Sequence, residues 1–182
     1  STAGDSIISG GNYNTLVGDQ AGTAVTTGDN NTAHGYRAGS TLSTASNSTL
    51  IGFEAGRTLT GATNTAVGSE SMETATSGVD NAGLGYRALR NIDGSRNVAV
   101  GSNAMRLSAG ASNNVAVGFE ALELNTTGAS NVAIGYQSMN NNTTGANNTA
   151  IGFASLDENT TGTQNVAIGE SALKSNTTAS NN

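Results

Sequence analysis

Asn131-Val132-Ala133-Ile134-Gly135 returns almost unchanged as Asn165-Val166-Ala167-Ile168-Gly169, with Asn148-Thr149-Ala150-Ile151-Gly152 between them. The glycine that closes this pentapeptide falls at 18, 35, 52, 68, 85, 101, 118, 135, 152 and 169, always 16 or 17 residues from the last. A fixed short period over nearly the whole chain means one structural unit stacked on itself. The unit is too short for a pair of helices, so each repeat is expected to form one coil of a β-solenoid. The fold class is therefore all-β: a parallel β-solenoid, or β-roll, of about ten 16–17-residue coils. It is a single repeat domain over residues 1–182, with a partial repeat at 1–13 and full repeats from 14 to 181.

Numbering each repeat from its first residue, copies begin at Asn14, Asn31, Ser48, Asn64, Asn81, Asn97, Asn114, Asn131, Asn148 and Asn165. Positions 2 to 6 read as a strand, because β-branched and aliphatic residues suit a pleated surface. Alternation places positions 3 and 5 on one face and 2, 4 and 6 on the other. Position 4 is aliphatic in every copy except His34, and position 3 is Leu16, Leu50, Gly83 or alanine. Position 8 is always Ala or Ser. Position 9 is Leu or Met from Met72 onward, and Gly22, Gly39 and Gly56 before it. These residues are expected to begin a second short strand. Asn-Thr-Thr at 125, 142, 159 and 176 reads as a turn, where earlier repeats carry Val25, Leu42, Leu59 and Ile92; the two halves are expected to differ in girth or packing. With strands spaced about 4.8 Å apart, ten coils make a rod of about 48 Å.

Both faces of the first strand are apolar, one aliphatic and one mostly alanine. If one fills the thin coil, the other lies bare as a long strip, which soluble monomers rarely expose. Parallel packing of identical rods around one axis is the economical solution, although periodicity alone does not give their number.

Composition narrows the function. Of 182 residues, 11% are charged and 35% hydrophobic; there is no cysteine or proline and the net charge is −6. No thiolate or disulfide chemistry is available. The acidic balance argues against a nucleic-acid partner, and no apolar run approaches a membrane helix, so no membrane insertion is expected in this segment. The chain carries no signal peptide, starts at Ser1 and stops in an Asn-rich turn, and is expected to be a piece of a longer fibre.

Catalytic chemistry is not legible. His34 is the lone histidine, the carboxylates form no recurrent pair, and no enzyme activity or cofactor is expected. Gly83-Leu84-Gly85-Tyr86-Arg87-Ala88 matches a dinucleotide pattern, but that motif needs a strand-to-helix turn and here it is one more repeat. The Asn-Thr-Thr sequons read as turns without glycans. His34, placed on the axis of an oligomer, is a candidate metal ligand; otherwise it is an ordinary neutral histidine. Six of the seven aromatics fall at position 6: Tyr36, Phe53, Tyr86, Phe119, Tyr136 and Phe153. Such a ladder either stacks on sugar rings or covers a seam. The stretch 31–113 holds six arginines and is net +1, between acidic ends. Receptor-binding candidates are therefore Tyr36, Arg37, Arg57, Tyr86, Arg87, Arg90 and Arg106. The alternative is a solvated face with cross-coil ion pairs, Arg37 with Glu54 and Glu70 with Arg87.

The pentapeptide, with Ala or Ser three positions after its glycine, resembles the head repeat of trimeric autotransporter adhesins. Those heads are left-handed parallel β-rolls that trimerise and bind host surfaces. The longer form at 148–164, Asn-Thr-Ala-Ile-Gly-Phe-Ala-Ser-Leu-Asp-Glu-Asn-Thr-Thr-Gly-Thr-Gln, is more similar to repeats of bacteriophage tail fibres, also trimers and often matured by a self-cleaving C-terminal chaperone. The adhesin repeat is usually shorter, and its neck, coiled-coil stalk and anchor are not seen here. The resemblance implies a parallel homotrimer, extracellular, on a virion or a bacterial surface. The favoured function is a tail-fibre shaft in host-receptor attachment; the alternative is an adhesin head binding surface glycans or matrix proteins. An ice- or mineral-binding face built on the stacked threonines ranks last.

Overall fold

A computed structural model describes residues 2–4 and 11–182. Most of the partial repeat expected over 1–13 lies outside them. The described chain winds as a parallel β-solenoid without helix, and each repeat contributes one coil. The principal strands are β1 (Thr15–Val17), β2 (Thr32–His34), β3 (Thr49–Ile51), β4 (Thr65–Val67) and β5 (Ala82–Leu84), then β7 (Val98–Val100), β9 (Val115–Val117), β10 (Val132–Ile134), β11 (Thr149–Ile151) and β12 (Val166–Ile168). Two shorter ones, β6 (Asn91–Ile92) and β8 (Leu107–Ser108), form a separate parallel pair. The ten principal strands form one sheet in chain order, and each residue pairs with its own position in the next coil, as Ala133 does with Ala116 and Ala150.

The alternation resolves in one sense along the whole rod. Position 3 points inward: Ala33, Leu50, Ala66, Ala99, Ala116, Ala133 and Ala150 are fully buried. Position 4 points outward. The interior is completed by position 8, position 9 and position 12, as with Ala121, Leu122 and Asn125. At position 12 the two halves differ in packing: Val25, Leu42, Leu59 and Ile92 are buried aliphatics where Asn125, Asn142 and Asn159 are buried amides. Positions 3 and 9 also exchange volume. A Cβ on Gly22 would strike the Leu16 side chain, and one on Gly56 would strike Leu50. Leu16 and Leu50 at position 3 thus go with glycine at position 9, and from Ala66 onward alanine or glycine at position 3 goes with Leu or Met there; the coil of Ala33 and Gly39 is the exception, its space taken by Leu42 and by Leu50 of the next coil. Either combination fills the same space, since close-packed interiors tolerate volume exchange better than volume change.

The expected second strand at positions 8 and 9 does not form. Positions 7 and 9 adopt left-handed backbone, as in Gln137 (φ 51°) and Met139 (φ 51°), and so does the last residue of the coil, Asn147 (φ 59°). Such residues turn the chain instead of extending it. They are held there by neighbouring coils: the N–H of Gln137 donates to Phe119 O at 2.9 Å, that of Met139 to Ser155 O at 3.0 Å, and that of Asn147 to Ala129 O at 3.0 Å. Extended backbone on this side occurs only one turn later, at β6 and β8. The pentapeptide glycine has a stricter role. Gly135 sits at φ +137°, a region essentially closed to other residues, and a Cβ there would run into the Gly152 carbonyl of the next coil.

Two amide ladders run through the interior. At position 1, Asn131 accepts the backbone N–H of Asn148 on its Oδ1 at 2.9 Å and donates from Nδ2 to Gly145 O at 2.8 Å. The arrangement recurs from Asn14 to Asn182, with Ser48 standing in once. At position 12, Nδ2 of Asn142 donates to Asn125 Oδ1 and Nδ2 of Asn159 to Asn142 Oδ1, both at 2.8 Å. Asn125, Asn142 and Asn159 are fully buried. Burial is tolerable because every rung is hydrogen-bonded. The expected Asn turns are thus also core, and these three sequons offer no free amide for a glycan.

Candidate functional site

The outward face of the sheet carries positions 2 and 4. Position 4 presents Val17, His34, Ile51, Val67, Leu84, Val100, Val117, Ile134, Ile151 and Ile168, in register over ten coils. In the middle of the rod Ile51, Ile134 and Ile151 are each 37% exposed and Leu84 is 42%. Beside them Val98 is 40% exposed. A single polar group, His34, interrupts this column, between Val17 and Ile51. Its side chain is on the outer face and not inside the coil. Among the described residues no group of histidines and carboxylates could hold a metal within one chain.

Just past the glycine bend stands the aromatic column. Tyr36 and Phe53 stack with centroids 5.5 Å apart. Phe119, Tyr136 and Phe153 form a three-ring stack with spacings of 5.3 and 5.2 Å and planes within 15° of parallel. Rings stacked in this way cover each other's faces, so within a run only edges and end faces remain for anything else. The Arg37 guanidinium lies over Tyr36 at 5.2 Å and that of Arg87 over Tyr86 at 4.8 Å.

The arginine candidates come together as a network. Arg37 pairs with Glu54 and Arg57 with both Glu54 and Glu73. Arg90 joins Glu73 at 2.7 Å to Glu70, and Arg87 completes the chain on Glu70 at 2.8 Å. Arg106 pairs separately with Glu123 at 2.6 Å. Both expected pairs, Arg37–Glu54 and Glu70–Arg87, are present. Burial opposes ionisation of Glu73, but hydrogen bonds and charge from Arg90 and Arg57 outweigh it and hold the carboxyl below its usual range. With their guanidiniums engaged, these five residues form a cross-coil brace more than a band of free cations.

The threonine ladder is engaged likewise. The hydroxyls of Thr126, Thr143 and Thr160 donate to the carbonyls of Thr143, Thr160 and Thr177 at 2.9 to 3.0 Å. Gly83 lies in β5, its missing Cβ making room for Ser71 Oγ and the Ala88 carbonyl, and no helix follows it to receive a dinucleotide. The amide ladders and the reciprocal Leu/Gly packing are what sequence reading missed. Both leave a trace as columns in the aligned repeats. No helix is long and apolar enough to cross a membrane among the described residues. Comparison of the chain with protein-family models, with characterised proteins and with solved structures returns no match.

Proposed function

We propose that this chain is a structural and adhesive fibre segment, a shaft piece of a trimeric bacteriophage tail fibre that takes part in attachment to a host surface receptor. The observation that carries the reading is the column from Val17 to Ile168, aliphatic except for His34 and partly exposed along one face of the rod. Burying such a strip against identical neighbours stabilises by roughly 25 cal/mol for each Å² removed from water. Straight, in-register columns suit rods lying parallel, so each level of one chain meets the same level of another under cyclic symmetry. The number three, the phage setting and the extracellular location come from the resemblance of the repeat at 148–164. A rod whose conspicuous side chains brace one coil to the next favours spanning and display.

Sedimentation equilibrium of the purified chain tests the reading. A particle of three times the 18.0 kDa chain mass is expected. A soluble monomer that stays monomeric as concentration rises would overturn it.

A further inference from the structure

The outward column at position 4 has one polar member. His34 stands between Val17 and Ile51 and pairs in register with both. Its side chain lies on the exposed outer face of β2 and makes no hydrogen bond or ion pair among the described residues. Every other level of the column is aliphatic. Inside an apolar seam an imidazole is costly unless its ring nitrogens find partners.

The column beside it changes character in the same part of the rod. Position 2 is threonine at 15, 32, 49 and 65, then Ala82, Val98, Val115 and Val132, with threonine again only at 149. Alternation puts Thr32 on the same outer face as His34, two residues before it in the strand. Thr15 and Thr49 pair with Thr32 in the adjacent strands. The hydroxyls of all three are likewise without a hydrogen-bond partner among the described residues. The one imidazole of the strip is thus set in its longest hydroxyl-bearing stretch.

We propose that His34 and its two copies in the trimer bind one divalent transition-metal ion on the rod axis. The inference rests on the trimer proposed above, since one chain supplies a single ligand. Rotational symmetry makes all three rings present the same atom to the axis. Three lone pairs repel one another, and so do three N–H groups, so rings that face the axis need an ion between them. Neutral imidazole suits Zn²⁺, Co²⁺, Ni²⁺ and Cu²⁺, whereas Mg²⁺ and Ca²⁺ take oxygen ligands. Metal–nitrogen bonds of about 2.0–2.1 Å hold the three rings at one level. A fourth, tetrahedral position points along the axis and takes a water; Val17, smaller than Ile51, leaves room for it on its side. The second ring nitrogen of each copy has the threonine column beside it as hydrogen-bond acceptor. Such an outer hydrogen bond fixes the tautomer and orientation of a metal-bound histidine.

Titration of the full chain with Co²⁺, after stripping with EDTA and at about pH 8 because ligation needs the neutral ring, tests the site. Sedimentation equilibrium reads the mass of the same samples. Uptake of one Co²⁺ for every three chains is expected, with the visible d–d bands of a tetrahedral ion. The melting temperature should rise with Co²⁺ and fall again with EDTA, since a ligand held only by the assembled state stabilises it. His34→Val makes the column wholly aliphatic. That variant should stay trimeric, show no bands and melt at one temperature with or without EDTA. A trimer that takes up no Co²⁺, its rings bonded to one another instead, overturns the metal site and leaves the trimer standing. Uptake unchanged in His34→Val does the same. A chain that sediments at 18.0 kDa both with and without Co²⁺ overturns the site and the trimer together. Assembly that appears only on adding Co²⁺ supports both.

Discussion

Ile92 and Ser108 stand one above the other as paired residues of β6 and β8, and between them the interior changes from aliphatic to polar. Before this level position 12 holds Val25, Leu42, Leu59, Ala75 and Ile92; after it stand Asn125, Asn142, Asn159 and Asn176. Ser108 belongs to neither regime. Its hydroxyl is buried with no hydrogen-bond partner among the described residues.

Replacing Ser108 with alanine should therefore stabilise the rod. A buried polar group left unpaired costs about 1–3 kcal/mol, and alanine occupies the same column at Ala75. A gain of about 1 kcal/mol corresponds to about 2–4 °C in melting temperature for a chain of this size. Thermal melts followed by circular dichroism measure it, and a lower melting temperature would show that the hydroxyl has a partner.

The amide ladder gives the opposite expectation. Asn142 donates to Asn125 and to the Gly145 carbonyl, and accepts from Asn159. Asn142→Val has an aliphatic precedent in Leu42, yet it orphans buried groups on both sides at about 1–3 kcal/mol each. Changing Asn125, Asn142 and Asn159 together to valine removes donors and acceptors alike and should recover much of that loss. Urea denaturation of the single and triple variants compares them; a triple variant weaker than the sum of three single ones would contradict the ladder argument.

How much of this was legible follows from the same columns. The repeat length, the principal strand and the pairing register all come from the spacing of the glycines, because stacking forces identical positions into contact. Alternation separated position 3 from position 4 but did not say which was inside. That is decided by volume: a coil already occupied by Leu122 or Met139 from the opposite wall has room for Ala116 or Ala133, not for Val117 or Ile134. Leu50 opposite Gly56 carries this information, since the exchange of large and small residues marks two side chains sharing one space. The missing second strand was less visible. Left-handed backbone at Gln137 and Met139 is imposed by hydrogen bonds from the coils on either side, not by their own preferences. At the surface the arginine cluster was evident, but its use as a brace depends on side-chain reach from one coil to the next.

Acid should affect two carboxylates in opposite ways. Glu73 has its pKa held down by Arg90 and Arg57 against the effect of burial, so its contribution is present above the unfolded-state value of about 4.3 and is lost as pH falls through the lower folded value. Asp157 is pushed up by burial and by Glu158, with Lys174 opposing, so its ionised form is disfavoured in the fold and the penalty disappears as pH falls. Glu73→Gln should lower the melting temperature at pH 7 and Asp157→Asn should raise it. Both differences should shrink toward acid pH, and melting curves across that range check the signs.

The last prediction separates the coil from its assembly through two adjacent residues. Ala133 is fully buried and Ile134 is 37% exposed on the outer face. An aspartate at 133 would enter an interior of Leu122, Met139 and paired amides, with no basic group among the buried residues to meet it. The cost is several kcal/mol, and the coils around β10 should lose their β-signal in circular dichroism. Ile134→Asp places the same charge where water reaches it in a single chain, so the coil should persist. In the proposed trimer, however, three such charges would converge within the apolar seam, and sedimentation should fall to the mass of one chain. Loss of β-structure in both variants would mean that the face assignment is off by one residue. A variant Ile134→Asp that remains fully associated would show that rods meet through some surface other than this strip.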